Sequence, residues 1–379
     1  MKSILIADYV RSPFTQAHKG ALHKVRPDEL AAQVIRSLLA RTGVDTETVE
    51  DLIVGCAFPE AEQGLNVARL IGFIADLPVS VAAVTVNRFC GSSMQAVHMA
   101  AGAIQMNAGE AFICAGVESM SRVPVMGFNP LPHPGLYQRY PQAYVSMGET
   151  AENVARQCQV TRREQEAFAL TSQHKAAAAE CSGRFAQEIV PITTSAGPRV
   201  ERDGCIRADT TLEALEKLKP AFDATGTVTA GTSSPLTDGA AAVLVCTEAW
   251  AEKNGCQPLG RVRSIATAGC PPELMGLGPV AATRKALARA NLSVADLDVV
   301  ELNEAFASQS IACLRELGIE ASRVNLDGGA IALGHPLGAS GARITGKAAA
   351  LLRREGARYA LATQCIGGGQ GIATILEAL

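Results

Sequence analysis

Two stretches of the chain, far apart in the sequence, present the same order of structural segments. Residues 39–54 read as the end of a helix, an acidic spacer and a strand, and residues 287–300 repeat that order. In both halves a Val-Asn pair follows, then a glycine-serine turn, an alanine-rich helix, a glycine turn and an apolar strand. Any two α/β units share some of this patterning, but an order kept through successive elements favours a duplicated half-domain of roughly 100 residues. The two copies are expected to lie side by side.

Short apolar runs alternate with longer segments of helical spacing, which indicates an α/β fold. The predicted pairing of its strands is largely parallel, because helices separate strands along the chain. The predicted strands are 4–7, 52–55, 83–86, 111–115, 241–246, 299–302 and 359–362. The predicted helices are 28–41, 94–106, 162–178 and 340–353, and residues 162–178 end a longer helical stretch over 149–178.

Length and charge exclude several classes of function. The 379 residues suffice for two or three domains or for one large duplicated core. A formal net charge of −3 is too small to predict binding to nucleic acid or to a charged membrane surface. No apolar run reaches the roughly 18 residues that a membrane span needs, and the N-terminal residues have neither signal-peptide nor transit-peptide form. These features predict a cytoplasmic protein.

Cysteine is unusually frequent: there are 11, and no two form a C-x-x-C pair. This spacing predicts neither a zinc site nor a disulfide framework, so no metal is expected. Unpaired cysteines in this number are typical of a reducing compartment, in agreement with a cytoplasmic location. Most of them are expected to be small buried hydrophobic residues.

Cys90 differs from the other cysteines because it follows an apolar strand and precedes Gly91, Ser92 and a predicted helix. A thiol is a strong nucleophile only as the thiolate, and its ordinary pKa is about 8.5. It therefore needs a neighbouring base or a helix N-terminus, whose unpaired N–H groups favour an anion. Cys90 is the predicted nucleophile; the alternative is an inert core cysteine.

His335 lies between Gly334 and Pro336 in a glycine-rich run, where the backbone must approach another group closely. Of the 6 histidines, only His133, in a proline-rich loop, is a rival. A lone histidine is more often a surface or core residue, but a histidine beside a thiol can take its proton. Cys90 and His335 together predict covalent acyl chemistry.

Two further segments offer groups for proton transfer and for binding a carbonyl oxygen. Cys365 precedes Gly367 and further glycines, whose backbone N–H groups can stabilise an oxyanion by about 3–4 kcal/mol per good donor. The alternative for Cys365 is a small residue in a tight turn, and the run has no nucleotide-loop pattern. Asn303 follows the predicted strand at 299–302, where its amide can hold a water or a carbonyl oxygen. Glu304 is the alternative acid, although a buried glutamate more often pairs with backbone or an arginine.

Residues 120–147 interrupt the α/β pattern, since they are rich in Pro, Gly and Tyr and show no periodicity. Loops this long in a compact protein are usually lids or binding loops. We therefore predict a first half made of residues 1–118 and 200–250, an inserted loop domain at 119–199, and a second half at 251–379. Substrate is expected to enter at the insertion.

Four blocks of sequence resemble, in the same order, the signature blocks of the thiolases. They are Cys90-Gly91-Ser92, Asn303-Glu304-Ala305, Gly334-His335-Pro336 and Cys365-Ile366-Gly367. The resemblance covers nearly the whole chain and implies thiolase-like duplicated βαβαβ half-domains in a five-layered α-β-α-β-α core. It also implies thiolytic cleavage of 3-ketoacyl-CoA by CoA, giving acyl-CoA and acetyl-CoA, as in fatty acid β-oxidation.

The resemblance further implies a role for each site residue. Cys90 becomes acylated, His335 takes its proton and forms an oxyanion hole with a water held by Asn303, and Cys365 exchanges a proton with the acetyl α-carbon. The N–H groups of Cys90 and Gly367 form a second oxyanion hole. Coenzyme A is a substrate and not a bound cofactor. Positions that match the family's CoA contacts are Met147, Arg207, Phe222, Ala230, Ser234, Ala305 and Phe306.

Finer details resemble the bacterial degradative 3-ketoacyl-CoA thiolases. Biosynthetic acetoacetyl-CoA thiolases carry a histidine before the Met-Gly of the Met147 block, where this chain has Ser146, and their lid has an extended tetramer-forming segment that is missing here. The resemblance thus implies longer acyl chains and a homodimer, with a tetramer left open and a β-oxidation hydratase–dehydrogenase as a possible partner. The alternative is a biosynthetic acetyl-CoA C-acetyltransferase that condenses two acetyl-CoA.

A decarboxylating ketoacyl synthase and a non-catalytic acyl-CoA carrier both agree less well with these residues. A ketoacyl synthase of the same fold class would need two histidines beside Cys90, and Cys365 stands where one would be. A carrier without catalytic activity would not need all four chemical blocks, which are intact.

Overall fold

The computed structural model describes residues 2–194 and 197–379. Its strands are β1 Ile4–Arg11, β2 Thr15–Gln16, β3 Asp51–Gly55, β4 Ala82–Val86, β5 Ala111–Ser119, β6 Ile192–Thr194, β7 Gly197–Val200, β8 Thr237–Thr247, β9 Gly260–Gly269, β10 Val299–Leu302, β11 Tyr359–Ile366 and β12 Gln370–Glu377. Its helices are α1 Pro27–Thr42, α2 Val67–Ile74, α3 Ser92–Gln105, α4 Pro134–Arg139, α5 Met147–Gln157, α6 Arg162–Cys181, α7 Leu212–Glu216, α8 Glu248–Lys253, α9 Gly278–Ala290, α10 Ala307–Leu317, α11 Ala330–Leu333 and α12 Leu337–Glu355. Short 3₁₀ turns occur at Thr46–Thr48, Ala61–Gln63, Pro141–Tyr144, Ala230–Thr232, Pro272–Leu277, Val294–Asp296 and Ala321–Arg323.

The main sheet has the strand order β10-β11-β12-β9-β1-β8-β5-β3-β4, and β2 pairs with β8 at its side. Counted outward from the centre, β1-β8-β5-β3 and β9-β12-β11-β10 show the same succession of antiparallel and parallel pairs. A parallel bridge between Val300 and Val324 stands in the second half where β4 stands in the first. The repeated topology confirms the predicted duplication.

The prediction of largely parallel pairing is wrong. Among the described residues, the parallel pairs of the main sheet are β3–β4, β3–β5 and β10–β11, and the remaining strand pairs are antiparallel. β11 and β12 are joined by residues 367–369 alone. Such a connection forms a hairpin, because a parallel neighbour needs a crossover of a dozen or more residues.

The two halves of the sheet enclose a central pair of helices, α3 and α12. α12 packs against α3 and against strands of both halves, including β5 and β11. The central core accordingly joins Met94 and Ala342 of these helices to Ile6 of the first half and Ile372 of the second. The opposite faces are covered by α1 and α2 in the first half and by α9 and α10 in the second. This arrangement confirms the five layers α-β-α-β-α.

The predicted helical stretch over 149–178 is two helices, α5 and α6. α6 begins afresh because the Thr161 hydroxyl accepts from the N–H of Glu164, whose carboxylate accepts from the backbone of Thr161. This capping box is a strong start signal for a helix.

The segment between β5 and β8 contains α4 to α7 and the β6–β7 hairpin, and it is anchored to the first half by a buried arginine. Arg11 on β1 is fully buried, with its Nε 2.8 Å from an oxygen of Glu188 and Nη1 2.7 Å from Asp203. The predicted domain division at residues 199 and 200 stays a prediction, and it falls within β7. Within residues 2–194 and 197–379, no helix combines the length and apolarity required to cross a membrane.

Candidate active site

Cys90 lies in a tight turn between β4 and α3, one residue before Gly91, the N-cap of α3. The Ser92 hydroxyl accepts from the N–H of Arg88 at 2.9 Å and donates to the carbonyl of Phe89 at 2.5 Å. Phe89 has a φ of 42°, a left-handed conformation that a bulky residue adopts only where its surroundings enforce it. The predicted position of Cys90 at a helix N-terminus is confirmed.

The thiol of Cys90 is surrounded by groups from β11 and from the glycine turn that follows it. Gln364 donates a side-chain hydrogen bond to the carbonyl of Cys90. A Cβ placed on Gly91 would lie 2.5 Å from the terminal methyl of Ile366, so the two segments pack closely and a larger residue would displace that side chain. Burial raises the pKa of Cys90 to about 11, while backbone hydrogen bonding from Gly367 and from Cys90 itself acts in the opposite direction.

Cys365 is fully buried on β11 and close to Cys90. Burial raises the pKa of Cys365 well above its ordinary value, and the neighbouring Cys90 raises it further. Met147, at the start of α5, covers the glycine turn, since a Cβ on Gly367 would lie 3.5 Å from the Met147 sulfur. The two thiols, the Gly367 backbone and Met147 therefore share one small region.

His335 is held by three hydrogen bonds in the loop before α12. Its N–H donates to the Thr237 hydroxyl at 3.0 Å, and its Nδ1 lies 2.6 Å from the Ser340 hydroxyl. Nδ2 of Asn303 can only donate, and it lies 3.2 Å from Nε2 of His335. Nε2 is therefore assigned as the acceptor, which puts the proton of the neutral ring on Nδ1, toward Ser340.

Burial, and after it the positive charge of Arg343, lowers the pKa of His335 to about 3, so the imidazole is neutral. With the proton on Nδ1, Nε2 is the nitrogen that can act as a base. Asn303 follows β10, and its Oδ1 is buried without a hydrogen-bond partner among the described residues. A buried amide oxygen without a partner in the protein can accept a hydrogen bond from a water or from a substrate group.

Glu304, the alternative acid, belongs to a structural cluster. Its carboxylate accepts from the Ser172 hydroxyl at 2.6 Å, from the Asn325 amide at 2.7 Å and from the backbone N–H of Ile331 at 3.2 Å. His133, the rival histidine, is exposed and caps α4 by accepting from the N–H of Leu136 at 3.1 Å. Neither is hydrogen-bonded to Cys90, His335, Asn303 or Cys365.

The predicted CoA-contact residues are joined to one another by a series of contacts. Arg207 and Ala230 line a cavity of about 70 Å³ together with Ser233, which bridges to Phe306. Ser234 donates through both its N–H and its hydroxyl to the carbonyl of Ala305, at 3.0 and 3.1 Å. The half-exposed Phe222 packs its ring edge-on against Phe306, with centroids 5.9 Å apart. Met147, Ala305 and Phe306 belong to one apolar cluster with Cys365, which connects these residues to that thiol.

Comparison with known proteins agrees with this geometry. Residues 4–249 match the family model described as "Thiolase, N-terminal domain", and residues 256–378 match "Thiolase, C-terminal domain". The chain belongs to the thiolase family.

This thiolase is 49% identical to a 3-ketoacyl-CoA thiolase of Shewanella frigidimarina and 45% identical to one of Bacillus subtilis, in both cases over 100% of each chain. The crystal structure of human mitochondrial 3-ketoacyl-CoA thiolase superposes with a TM-score of 0.92, at 37% identity, over 100% of this chain and 99% of that chain. The predicted family and fold are thereby confirmed.

The sequence of the thiolase did not reveal three residues that support the site. Ser340 orients His335, Gln364 binds the backbone of Cys90, and Glu118 accepts from the N–H of Gly338 near His335. Ser340 could have been found as a hydroxyl five residues after the histidine at a helix start. Glu118 carries no local signal, because its partners come from distant segments. In the described part of the thiolase, no group of three or more His, Cys, Asp or Glu is arranged to hold a metal.

Proposed function

We propose that this thiolase transfers acyl groups by thiolytic cleavage of 3-ketoacyl-CoA, with CoA as the acceptor. The observation that carries the proposal is the proximity of Cys90, from the first half, to Cys365 and Gly367 from the second. Asn303, which is hydrogen-bonded to His335, donates its N–H to the carbonyl of Thr363, two residues before Cys365. The full-length relatives named as 3-ketoacyl-CoA thiolases support this activity in its degradative direction.

In the first half-reaction, Nε2 of His335 accepts the proton of Cys90 as the sulfur attacks C3 of the substrate. In this scheme the oxyanions are bound by the Asn303 region and by the N–H groups of Cys90 and Gly367. The C2–C3 bond then breaks, and its electron pair, as an enolate of acetyl-CoA, takes the proton of Cys365. Acetyl-CoA leaves and the acyl group stays on Cys90.

In the second half-reaction, the Cys365 thiolate takes the proton of an incoming CoA thiol. The CoA sulfur attacks the acyl carbon, Cys90 departs, and protonated His335 returns the proton to it. Each group ends in its starting state, so the cycle is balanced and ping-pong kinetics are expected. CoA is a substrate in this scheme, and no prosthetic group takes part.

We further propose a cytoplasmic homodimer. All eleven cysteines lie within the described residues and are free thiols, which supports a reducing compartment. β4 forms an open edge of the main sheet, and Ala82 on β4 and Met99 on α3 are exposed beside it. An exposed apolar edge of this kind favours pairing with a second copy. A hydratase–dehydrogenase partner is proposed on the resemblance alone.

The test of the function is thiolysis of 3-ketoacyl-CoA of short and of medium chain length, monitored with the intact protein by mass spectrometry. Wild type is expected to show an acyl adduct on Cys90 when CoA is omitted and to prefer the longer substrate. Cys90→Ser is expected to lose the adduct and at least about 10³-fold in kcat/KM, whereas Cys181→Ser, at an exposed cysteine, keeps both. Turnover by Cys90→Ser would refute the nucleophile, and a preference for acetoacetyl-CoA would favour the biosynthetic alternative.

A further inference from the structure

Glu118, near the end of β5, is a buried carboxylate that only accepts hydrogen bonds. It is 1% exposed. One oxygen accepts from the N–H groups of Ala57 and Gly338, each at 2.9 Å. The other accepts from the Gln63 side-chain amide at 2.7 Å and from the N–H of Phe58 at 3.3 Å.

These partners come from both halves of the fold. Ala57 and Phe58 follow β3 in the first half, whereas Gly338 lies in the first turn of α12, three residues after His335. α12 has no side-chain cap of its own at Pro336, so Glu118 satisfies one of its free N–H groups from across the interface. A negative charge at that end of the helix is also favoured by the helix dipole.

The interface at this point is too tight to tolerate adjustment. A Cβ on Gly338 would lie 2.5 Å from the Val117 carbonyl and 2.8 Å from the Gly55 carbonyl. The strand ends of the first half therefore touch the start of α12 directly. The Glu118 carboxylate bonds the two together through the N–H of Gly338, next to the bond that the Thr237 hydroxyl of β8 accepts from the N–H of His335.

We propose that Glu118 is a positioning residue of this thiolase: by holding the start of α12 against the first half, it sets the place of His335 relative to Cys90. The proposal rests on the proposed function. Glu118 touches no reacting atom in this scheme and acts through the loop that carries His335.

An ionised carboxylate suits this position better than an amide would. Both oxygens of Glu118 face donors, so a glutamine would turn its NH₂ group toward either Gly338 and Ala57 or Gln63 and Phe58. The charge also acts on Cys90 and on the buried Cys56, whose sulfur lies 3.8 Å from the Glu118 carboxylate. Burial raises the pKa of Glu118, and its four hydrogen-bond donors act in the opposite direction. Burial is the main cause that raises the pKa of Cys90, and Glu118 raises it further.

Two variants distinguish the effect of the length of the Glu118 side chain from the effect of its charge, and a third variant is a control. Glu118→Gln keeps the length and removes the charge; Glu118→Asp keeps the charge and cannot span both sets of donors. Asp28→Asn is the matched control, because Asp28 is a buried carboxylate in the first turn of α1, in an outer layer. Each variant is assayed for kcat and KM in thiolysis and for the rate of iodoacetamide alkylation of Cys90, which needs no turnover.

We expect Glu118→Gln and Glu118→Asp to lower kcat by about 10²-fold with little change in KM. Displacement of His335 would slow proton transfer from Cys90 without weakening substrate binding. Alkylation of Cys90 at a given pH should be faster in Glu118→Gln than in wild type and close to wild type in Glu118→Asp. Asp28→Asn should change neither. If Glu118→Gln does not fold, Gln63→Met removes one donor and should lower kcat in the same direction by a smaller factor.

The proposal is overturned if kcat of the Glu118 variants, or of Gln63→Met in their place, stays within about twofold of wild type, since a misplaced base costs far more. Equal alkylation rates in wild type and Glu118→Gln would contradict the action of the charge on Cys90. Absence of thiolysis in wild type would instead refute the proposed function, and the alkylation rates would still report on Glu118.

Discussion

Cys90 and His335 are both uncharged in the resting structure. Burial holds the pKa of Cys90 at about 11 and that of His335 at about 3, so a thiolate–imidazolium pair is disfavoured on both sides. The helix N-terminus that the sequence places after Cys90 is present, but desolvation of the thiol outweighs it. In the proposed reaction the proton therefore moves during attack on the substrate, when hydrogen-bond donors around the oxyanion compensate for the new charge.

The first prediction concerns the alkylation of Cys90 in the free enzyme as a function of pH. Because the thiolate forms only as pH approaches about 11, the rate is expected to rise about tenfold per pH unit from about pH 7 to pH 9, with no plateau. Glutathione serves as the control, since an ordinary thiol levels off above about pH 8.5. A plateau with a midpoint near neutral pH would show a preformed ion pair and contradict the prediction.

The second prediction concerns Ser340, which accepts the Nδ1 proton of His335. Ser340→Ala frees the imidazole to rotate or change tautomer, so kcat is expected to fall by about 10- to 100-fold at nearly constant KM. Thr345→Val is the matched control, because Thr345 lies on the same helix and its hydroxyl bonds only the Gly341 carbonyl at 2.7 Å. Equal kcat values in the two variants would exclude an orienting role for Ser340.

At the scale of single elements, α12 controls how closely the layers approach. Gly341 lies where α12 crosses α3, and a Cβ there would overlap the backbone of Met94. Gly346 lies further along α12, and a Cβ there would overlap the ring of Tyr9 on β1. Glycine lowers the helix propensity of α12, yet it permits close contact between the two central helices, which begin just after Cys90 and His335.

The third prediction contrasts two glycines in the central helices. Gly341→Ala is expected to lower the free energy of unfolding by about 1–3 kcal/mol, despite the better helix propensity of alanine, because the added methyl has no room. Gly102→Ala in α3, where a Cβ meets no atom within 4 Å, is expected to raise it by about 0.5–1 kcal/mol. Urea unfolding measures both; stabilisation by Gly341→Ala would show that the helices separate easily.

The sequence predicted the elements better than their pairing. Apolar runs and capping residues locate strands and helices, so β10 was predicted with its observed bounds. β9 and β12 were not predicted. The direction of β8 could not be predicted in the same way as its position, because it depends on which strands β8 joins across the sheet. Cys90, His335, Asn303 and Cys365 were predicted from their local contexts, whereas Glu118 and Gln364 act through partners more than 200 residues away in the sequence, such as Gly338 and Cys90.

At the scale of the whole molecule, the open edge at β4 leads to the fourth prediction. Wild type is expected to have the mass of two 39.5 kDa chains in light scattering. Lysines at Ala82 and Met99 add charge to the edge, so the double variant Ala82→Lys/Met99→Lys should dissociate on dilution. Ala295→Lys, at an exposed site in the second half, should leave the mass unchanged. A monomeric wild type, or a double variant with the mass of two chains at every concentration, would place the interface elsewhere.

The repeated topology has a consequence for how this chemistry can be divided. Cys90 precedes α3 and His335 precedes α12, and these helices hold corresponding places in the two copies. A pair of identical units related by a twofold axis would present the same side chain at both positions. Two thiols or two imidazoles there could not supply both a nucleophile and a base. Joining both copies in a single polypeptide allows each to keep its own reactive group. We therefore expect that a circularly permuted chain can remain active. Either copy produced by itself should be inactive, because it contains only one of the two reactive side chains.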